Sequence, residues 1–154
     1  MDRFIVNGKN RLGGEISVHG AKNSALPVLA AAVTVGDECV ISNCPGLSDV
    51  RATTKILDSL GCRKKEEGRT ITVNSRPLSR NEISDSLMRE LRSSFIFMGA
   101  LLSKTGRAVM GTPGGCEIGV RPIDIHLLSF EQMGAKVTYE NGKIVCEAPG
   151  GLKG

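Results

Sequence analysis

The sequence contains no tryptophan, one tyrosine and four phenylalanines among its 154 residues. Aromatics at 3% are too few for the stacking platforms that hold single-stranded nucleic acid. Neither sign of charge dominates, since 20 Lys and Arg stand against 16 Asp and Glu, a formal +4. So mild an excess tolerates anionic ligands without pointing to DNA or RNA. No C-x-x-C pair occurs among Cys39, Cys44, Cys62, Cys116 and Cys146, and their number is odd. That disfavours a zinc cluster or a disulfide framework. The two histidines, His19 and His126, are too far apart to be paired metal ligands. Long apolar runs are lacking as well. Ala25–Val35 and Phe95–Leu102 fall far below the roughly 20 residues of a membrane span. Met1 is followed by the charged Asp2 and Arg3, which is unlike a secretory leader. The expected setting is soluble, reducing and cytoplasmic, with no membrane or nucleic-acid partner.

What is present suits a globular chain. Hydrophobic residues make up 40% and charged residues 23%, enough for a sizeable core without staples. The patterning predicts strands at Arg3–Val6 and Glu15–Val18, punctuated by Asn7-Gly8 and Gly13-Gly14. Asn23 or Ser24 then caps a helix running to Val35, with Pro27 in its first turn and apolar residues on nearly every face. A strand at Glu38–Ser42 follows, and then a helix from Ser48-Asp49 to Leu60 with Gly61 as its stop. A hairpin of Cys62–Glu66 and Thr70–Val73 turns at Glu67-Gly68. A long helix is expected over about Ser86–Ser103.

The pattern then recurs. Gly106–Met110 matches the segment opening at Gly36, 70 residues earlier. The helix Ile123–Met133 with its stop Gly134 matches the one ending at Gly61, 73 residues earlier. Lys136–Tyr139, Asn141-Gly142 and Lys143–Cys146 repeat the hairpin. The chain thus holds two copies of a helix–strand–helix–hairpin unit, and the second has about three extra residues in one loop. Repeat folds usually need about three or more such units.

That loop, Gly111–Pro122, carries the chemistry. Four glycines, Gly111, Gly114, Gly115 and Gly119, give it backbone freedom. Cys116 lies between Gly115 and Glu117, and a cation such as Arg121 would favour its thiolate; a buried structural thiol is the alternative. The other four cysteines sit in or beside strands and read as structural. Arg121 and Pro122 lead into a helix whose free N–H groups can bind an anion, unless Arg121 simply pairs with Asp124. Lys22 faces the positive end of the first helix, which is unfavourable unless an anion lies between them; otherwise it is solvated. Arg92 either reaches the same cleft or extends to water. His126 reads as a capping or packing residue.

Three segments now carry a resemblance: Gly20–Pro27, Leu91–Ser94 and Gly114–Asp124. In order and in sequence they resemble the UDP-N-acetylglucosamine enolpyruvyl transferases, the 1-carboxyvinyltransferases that open peptidoglycan synthesis. The shikimate-pathway enolpyruvyl transferase shares the architecture but is less similar in this loop. The resemblance implies an α/β (α+β) inside-out barrel with helices inside and sheets outside. Residues 1–21 would belong to another domain. Residues 22–154 would hold two units, about 22–74 and 91–148, of an incomplete three-unit domain.

The implied reaction moves the enolpyruvyl group of phosphoenolpyruvate to the sugar 3′-hydroxyl by addition and elimination, releasing phosphate, with no metal or organic cofactor. By motif match Lys22 and Asn23 contact phosphoenolpyruvate, Arg92 contacts the sugar nucleotide, and Cys116 donates a proton to the methylene carbon. Arg121, Pro122, Ile123, Asp124 and Ile125 bind UDP-N-acetylglucosamine, and the loop of Gly111, Gly114, Gly115 and Gly119 closes over it. Relatives with Asp at the cysteine position resist fosfomycin, so Cys116 implies a fosfomycin target. The resemblance also implies a fragment with exposed apolar helix faces and a tendency to self-associate. The alternatives are an inactive fragment and a sugar-nucleotide binding module.

Overall fold

A computed structural model describes residues 3–9, 11–91, 93–111 and 122–154. The first unit runs α1 (Lys22–Val35), β1 (Glu38–Ile41), α2 (Ser48–Ser59), β2 (Arg63–Glu67) and β3 (Thr70–Asn74). A short β4 (Glu82–Ile83) and α3 (Asp85–Glu90) lead into the second unit: α4 (Ile96–Thr105), β5 (Arg107–Gly111), α5 (Asp124–Gln132), β6 (Lys136–Glu140) and β7 (Lys143–Glu147). The two units match element by element. In each, the lone strand pairs antiparallel with the far strand of the hairpin, giving orders β1-β3-β2 and β5-β7-β6. The second sheet gains β4, parallel to β5, at its edge.

The same backbone solution also ends both central helices. Gly36 after α1 and Gly106 after α4 each adopt φ 72°, the left-handed conformation that closes a helix and that side chains resist. The repeat inferred from spacing is therefore a repeat of conformation.

The helices lie inside and the sheets outside. α1 packs on β1 and β3, α4 packs on β5 and β7, and α1 and α4 pack on each other. The core draws on Leu29, Val33, Ile56, Leu57, Phe97, Met98 and Leu101, all fully buried. Equivalent faces of the two central helices meet. Ala30, Ala31 and Thr34 of α1 line one groove with Gly99, Ala100 and Ser103 of α4, each partner 69 residues further along the chain. Such small side chains allow a close approach of the helix axes. The Lys104 ammonium, near the end of α4, lies against Gly36 at the end of α1. The two helices therefore run in the same direction, with their N-terminal ends together.

Four expectations change. No strand forms among the described residues of the first 21; Phe4, Ile5, Val6, Leu12, Ile16 and Val18 are exposed, and Phe4 is 99% so. Alternating apolar residues make a strand only where an edge accepts their hydrogen bonds. α1 starts at Lys22 rather than after an Asn23 or Ser24 cap, and Ala21 precedes it without a side-chain cap. Pro27 consequently sits deeper than the first turn. Nor is α1 buried all round, since Val28 and Val35 are about half exposed.

The long helix expected over Ser86–Ser103 is broken. Leu91 is extended, at φ −125° and ψ 108°, between α3 and α4. Leu91 is buried in the core, and the buried Ser94 hydroxyl donates to the Met88 carbonyl at 3.4 Å. Serine bonding of this kind competes with helix continuation. The remaining helix and strand boundaries agree to within about two residues, the usual ambiguity of helix and strand ends.

Replacing Gly106 by Ala should cost roughly 1–2 kcal/mol, the penalty of a left-handed residue with a Cβ. That Cβ would also lie 3.1 Å from the Ala148 carbonyl oxygen. Urea unfolding of Gly106→Ala should show a lower midpoint at unchanged slope.

Candidate functional site

Among the described residues, the parallel packing of α1 and α4 puts Lys22 and Asn23 at the N-terminal end of the helix pair. Lys22 and Asn23 form the first turn of α1. Ala21 accepts from the amides of Ser24 and Ala25, at 3.1 and 3.0 Å, so the Lys22 and Asn23 amides have no acceptor within the helix. Entry into this turn is fixed by Gly20, which packs so tightly on the Asn43 carbonyl that a side chain there would collide with it. Asn43 is itself held by Arg69, which donates to its side-chain oxygen, and has a left-handed φ of 58°. The first turn of α1 is thereby seated on the β1–α2 connection.

At the same end, Pro122 and Ile123 lead into α5, with Asp124 in its first turn. His126, one turn in, meets Phe95 edge-on with ring centroids 5.6 Å apart. Phe95 precedes α4, so this contact ties the start of α5 to the start of α4. His126 is thus a packing histidine, one of the two expected roles. Pro122, Asp124 and Ile125 are exposed, Ile125 at 74%, and Ile123 is half-buried. Gly111, the last residue of β5, lies against the Asp85 carboxylate, which leaves no room for a Cβ. The loop therefore departs beside the first turn of α3. Arg92, Gly114, Gly115, Cys116, Gly119 and Arg121 lie outside the described residues.

Lys22 is neither solvated alone nor waiting unpaired. Its ammonium lies 2.6 Å from the Asp49 carboxylate in the first turn of α2. Sequence reasoning missed Asp49. An acid in a first helical turn is common because it complements the dipole, so its position alone gave no signal. A cavity of about 370 Å³ opens beside Gly20, Ser24, Val28, Ser42 and Asn43, but no charged side chain lines it. It flanks the same first turn of α1 as Lys22 but offers an anion no charge of its own.

The described cysteines behave as structural thiols. Cys44, Cys62 and Cys146 are buried and Cys39 is half-buried, all unpaired. Burial pushes the thiols of Cys62 and Cys146 up to about 11, helped by the negative charges of Asp58 and Glu131 respectively. Neither is a nucleophile near neutral pH. No group of three or more metal-ligating side chains occurs among the described residues.

These raised values set a pH dependence. In the unfolded chain a thiol loses its proton near about 8.5, before the folded one does. Between there and about 11 the folded state binds more protons, so stability falls as pH rises. Urea midpoints measured from pH 8 to 11 should decline, and the double variant Cys62→Ala, Cys146→Ala should show a shallower decline.

Comparison with known proteins agrees with this architecture. The family model for EPSP synthase (3-phosphoshikimate 1-carboxyvinyltransferase) matches residues 6–153. UDP-N-acetylglucosamine 1-carboxyvinyltransferase 2 of Caldanaerobacter subterraneus is 46% identical over 147 residues, covering 96% of this chain and 35% of that protein. UDP-N-acetylglucosamine 1-carboxyvinyltransferase of Psychrobacter arcticus is 39% identical, covering 99% of this chain and 36% of that one. Among solved structures, the enolpyruvyl transferase NikO of Streptomyces tendae superposes with a TM-score of 0.77 at 25% identity, over 95% of this chain and 32% of NikO. EPSP synthase of Acinetobacter baumannii matches in fold, with a TM-score of 0.60 at 15% identity. The chain spans about a third of the length of these relatives. With matching units, inward helices and a family match over nearly every residue, the chain belongs to the EPSP synthase family of carboxyvinyltransferases.

Proposed function

We propose that this chain carries part of the site at which the enolpyruvyl group of phosphoenolpyruvate is transferred to the 3′-hydroxyl of UDP-N-acetylglucosamine. The observation that carries this reading is that α5 is tied at its start to the residue preceding α4, the helix that packs parallel to α1. There Lys22, with the free amides of the α1 first turn, shares an end with Pro122, Ile123 and Asp124. Identity of 39–46% to sugar-nucleotide carboxyvinyltransferases favours UDP-N-acetylglucosamine over shikimate 3-phosphate as acceptor.

In this reading Lys22 and Asn23 hold phosphoenolpyruvate. Fixed cations and amides stabilise its phosphate and carboxylate better than reorienting water does. Arg92 contacts the sugar nucleotide. Arg121, Pro122, Ile123, Asp124 and Ile125 bind its nucleotide end, with Arg121 also near phosphate. The glycine-rich loop of Gly111, Gly114, Gly115 and Gly119 closes over the first-bound nucleotide and excludes water.

Cys116 gives its proton to the methylene carbon of phosphoenolpyruvate while the sugar oxygen bonds to the neighbouring carbon and loses its own proton to a base. Elimination then takes a proton back from the new methyl group, restores the double bond and expels inorganic phosphate. A thiol tuned near neutrality suits this exchange of roles.

The chain spans about a third of its relatives' length, which suits a part of a larger transferase. Residues 22–74 and 91–148 are two units of a three-unit domain, and residues 1–21 belong to another. The exposed apolar residues of that N-terminal segment and the groove between α1 and α4 are surfaces that further units would cover. Alone, the chain is expected to self-associate and to turn over little substrate. Its place would be the cytoplasm, at the committed step of peptidoglycan synthesis.

Phosphate release from phosphoenolpyruvate, with and without UDP-N-acetylglucosamine, tests the assignment on the chain alone and with the remaining two thirds of a relative added. Sugar-nucleotide-dependent release only when the remainder is present is the expected result; nucleotide binding without release under both conditions favours a binding module. Fosfomycin with sugar nucleotide should add one adduct, mapped to Cys116 by peptide mass spectrometry and absent from Cys116→Asp.

A further inference from the structure

We propose that Asp49 is a positioning residue for Lys22, a role that rests on the reading of Lys22 as a phosphoenolpyruvate contact. A lysine at the first turn of a helix is repelled by the helix dipole and carries four rotatable bonds. Left to itself it would sample water rather than the gap between α1 and α2. Asp49 counters both tendencies, with its carboxylate 2.6 Å from the ammonium. Among the described residues no other ion pair joins the first turns of two helices.

Both ends of the pair stand on fixed supports. On one side, Gly20 seats α1 against Asn43. On the other, the buried Thr53 hydroxyl donates to the Asp49 carbonyl at 2.9 Å. Leu47 donates to the Pro45 carbonyl at 2.8 Å, and the Arg51 side chain donates to the Gly46 carbonyl at 3.1 Å, which holds the approach to α2. Val50 and Ala52, flanking this turn, are buried.

An ammonium has three donors, and a carboxylate at this distance occupies one. Two remain for an incoming phosphate or carboxylate. Asp49 therefore keeps its bond as the anion arrives and does not have to be displaced. It sets where the charge of Lys22 sits before binding, so the anion meets a preorganised cation. The side chains are 46% and 32% exposed, which leaves the ammonium open to a ligand from solvent. The rival reading is plain repulsion: a negative charge beside an anion site weakens anion binding, and its removal tightens it.

Lysine acetylation, read by peptide mass spectrometry, separates the two. Without ligand, Lys22 should be acetylated severalfold faster in Asp49→Asn than in the native chain, while Lys55, farther along α2 and paired with Glu90 of α3, keeps its rate and reports an intact fold. With UDP-N-acetylglucosamine and the remaining two thirds of a relative present, phosphoenolpyruvate should protect Lys22, and the half-protecting concentration should rise severalfold in Asp49→Asn. Asp49→Glu, which keeps the charge on a longer arm, should fall between them. Equal Lys22 rates in all three proteins overturn the proposal. So does faster acetylation with half-protection unchanged or at lower phosphoenolpyruvate, the signature of repulsion. In both those cases protection of the native chain leaves the assignment of Lys22 standing. Absence of protection in every protein instead overturns that assignment, and this proposal with it.

Discussion

The close approach of α1 and α4 governs the rest of the structure. Two helices running in the same direction have aligned dipoles, an unfavourable arrangement that side-chain packing between them has to outweigh. Ala30 and Ala31 of α1 and Gly99 and Ala100 of α4 line the groove between the two helices, and their small side chains let the axes approach. Lys104 eases the electrostatics by placing an ammonium at the C-terminal end of α1, where the dipole is negative. Because the seam uses equivalent residues of two equivalent units, both sheets are carried outward to flank the helices. The N-terminal ends of α1 and α4 fall together by the same constraint. The candidate site is a consequence of this helix pairing.

The pairing also explains why charge is managed at the opposite end. Helix N-termini gathered in one place make a positive region even before any side chain is counted. Lys22 adds to it, which is destabilising for an isolated domain. Asp49 and Asp124, in the first turns of α2 and α5, offset it. The two carboxylates reduce the positive charge at this end, and the Lys22 and Asn23 amides remain without an acceptor in the helix. That balance is compatible with both folding and binding, which a bare cluster of cations would not be.

Much of this was legible in the sequence, for identifiable reasons. The hairpins, the left-handed glycines and the 70–73 residue spacing are local signals, and local signals survive tertiary context. The break at Leu91 was not legible. Leu91, Phe95, Met98 and Leu102 have perfect helical spacing, and the interruption depends on Leu91 being drawn into the core while Ser94 turns back on Met88. The N-terminal strands failed for the converse reason, since a strand is defined by a neighbour and none is supplied here. Among the candidate site residues, Lys22 stood out because a cation conflicts with the first turn of a helix, whereas Asn23 suits that turn and entered through the family resemblance alone. Asp49 conflicts with nothing there, and only its distance from Lys22 identifies it.

The contrast between cysteines follows from the same layout. Cys146 lies in the central region of the second sheet, in contact with Met98 of α4 at 3.4 Å between sulfurs. Cys62 follows α2 at the mouth of a hairpin. In both places burial and a nearby carboxylate favour the neutral thiol. A thiol intended to exchange a proton with substrate needs the opposite surroundings: access to the site and cations rather than acids nearby. Cys116, with Glu117 beside it and Arg121 five residues on, falls in sequence between β5 and α5, outside both elements. Burial thus favours the neutral thiol at Cys44, Cys62 and Cys146 alike.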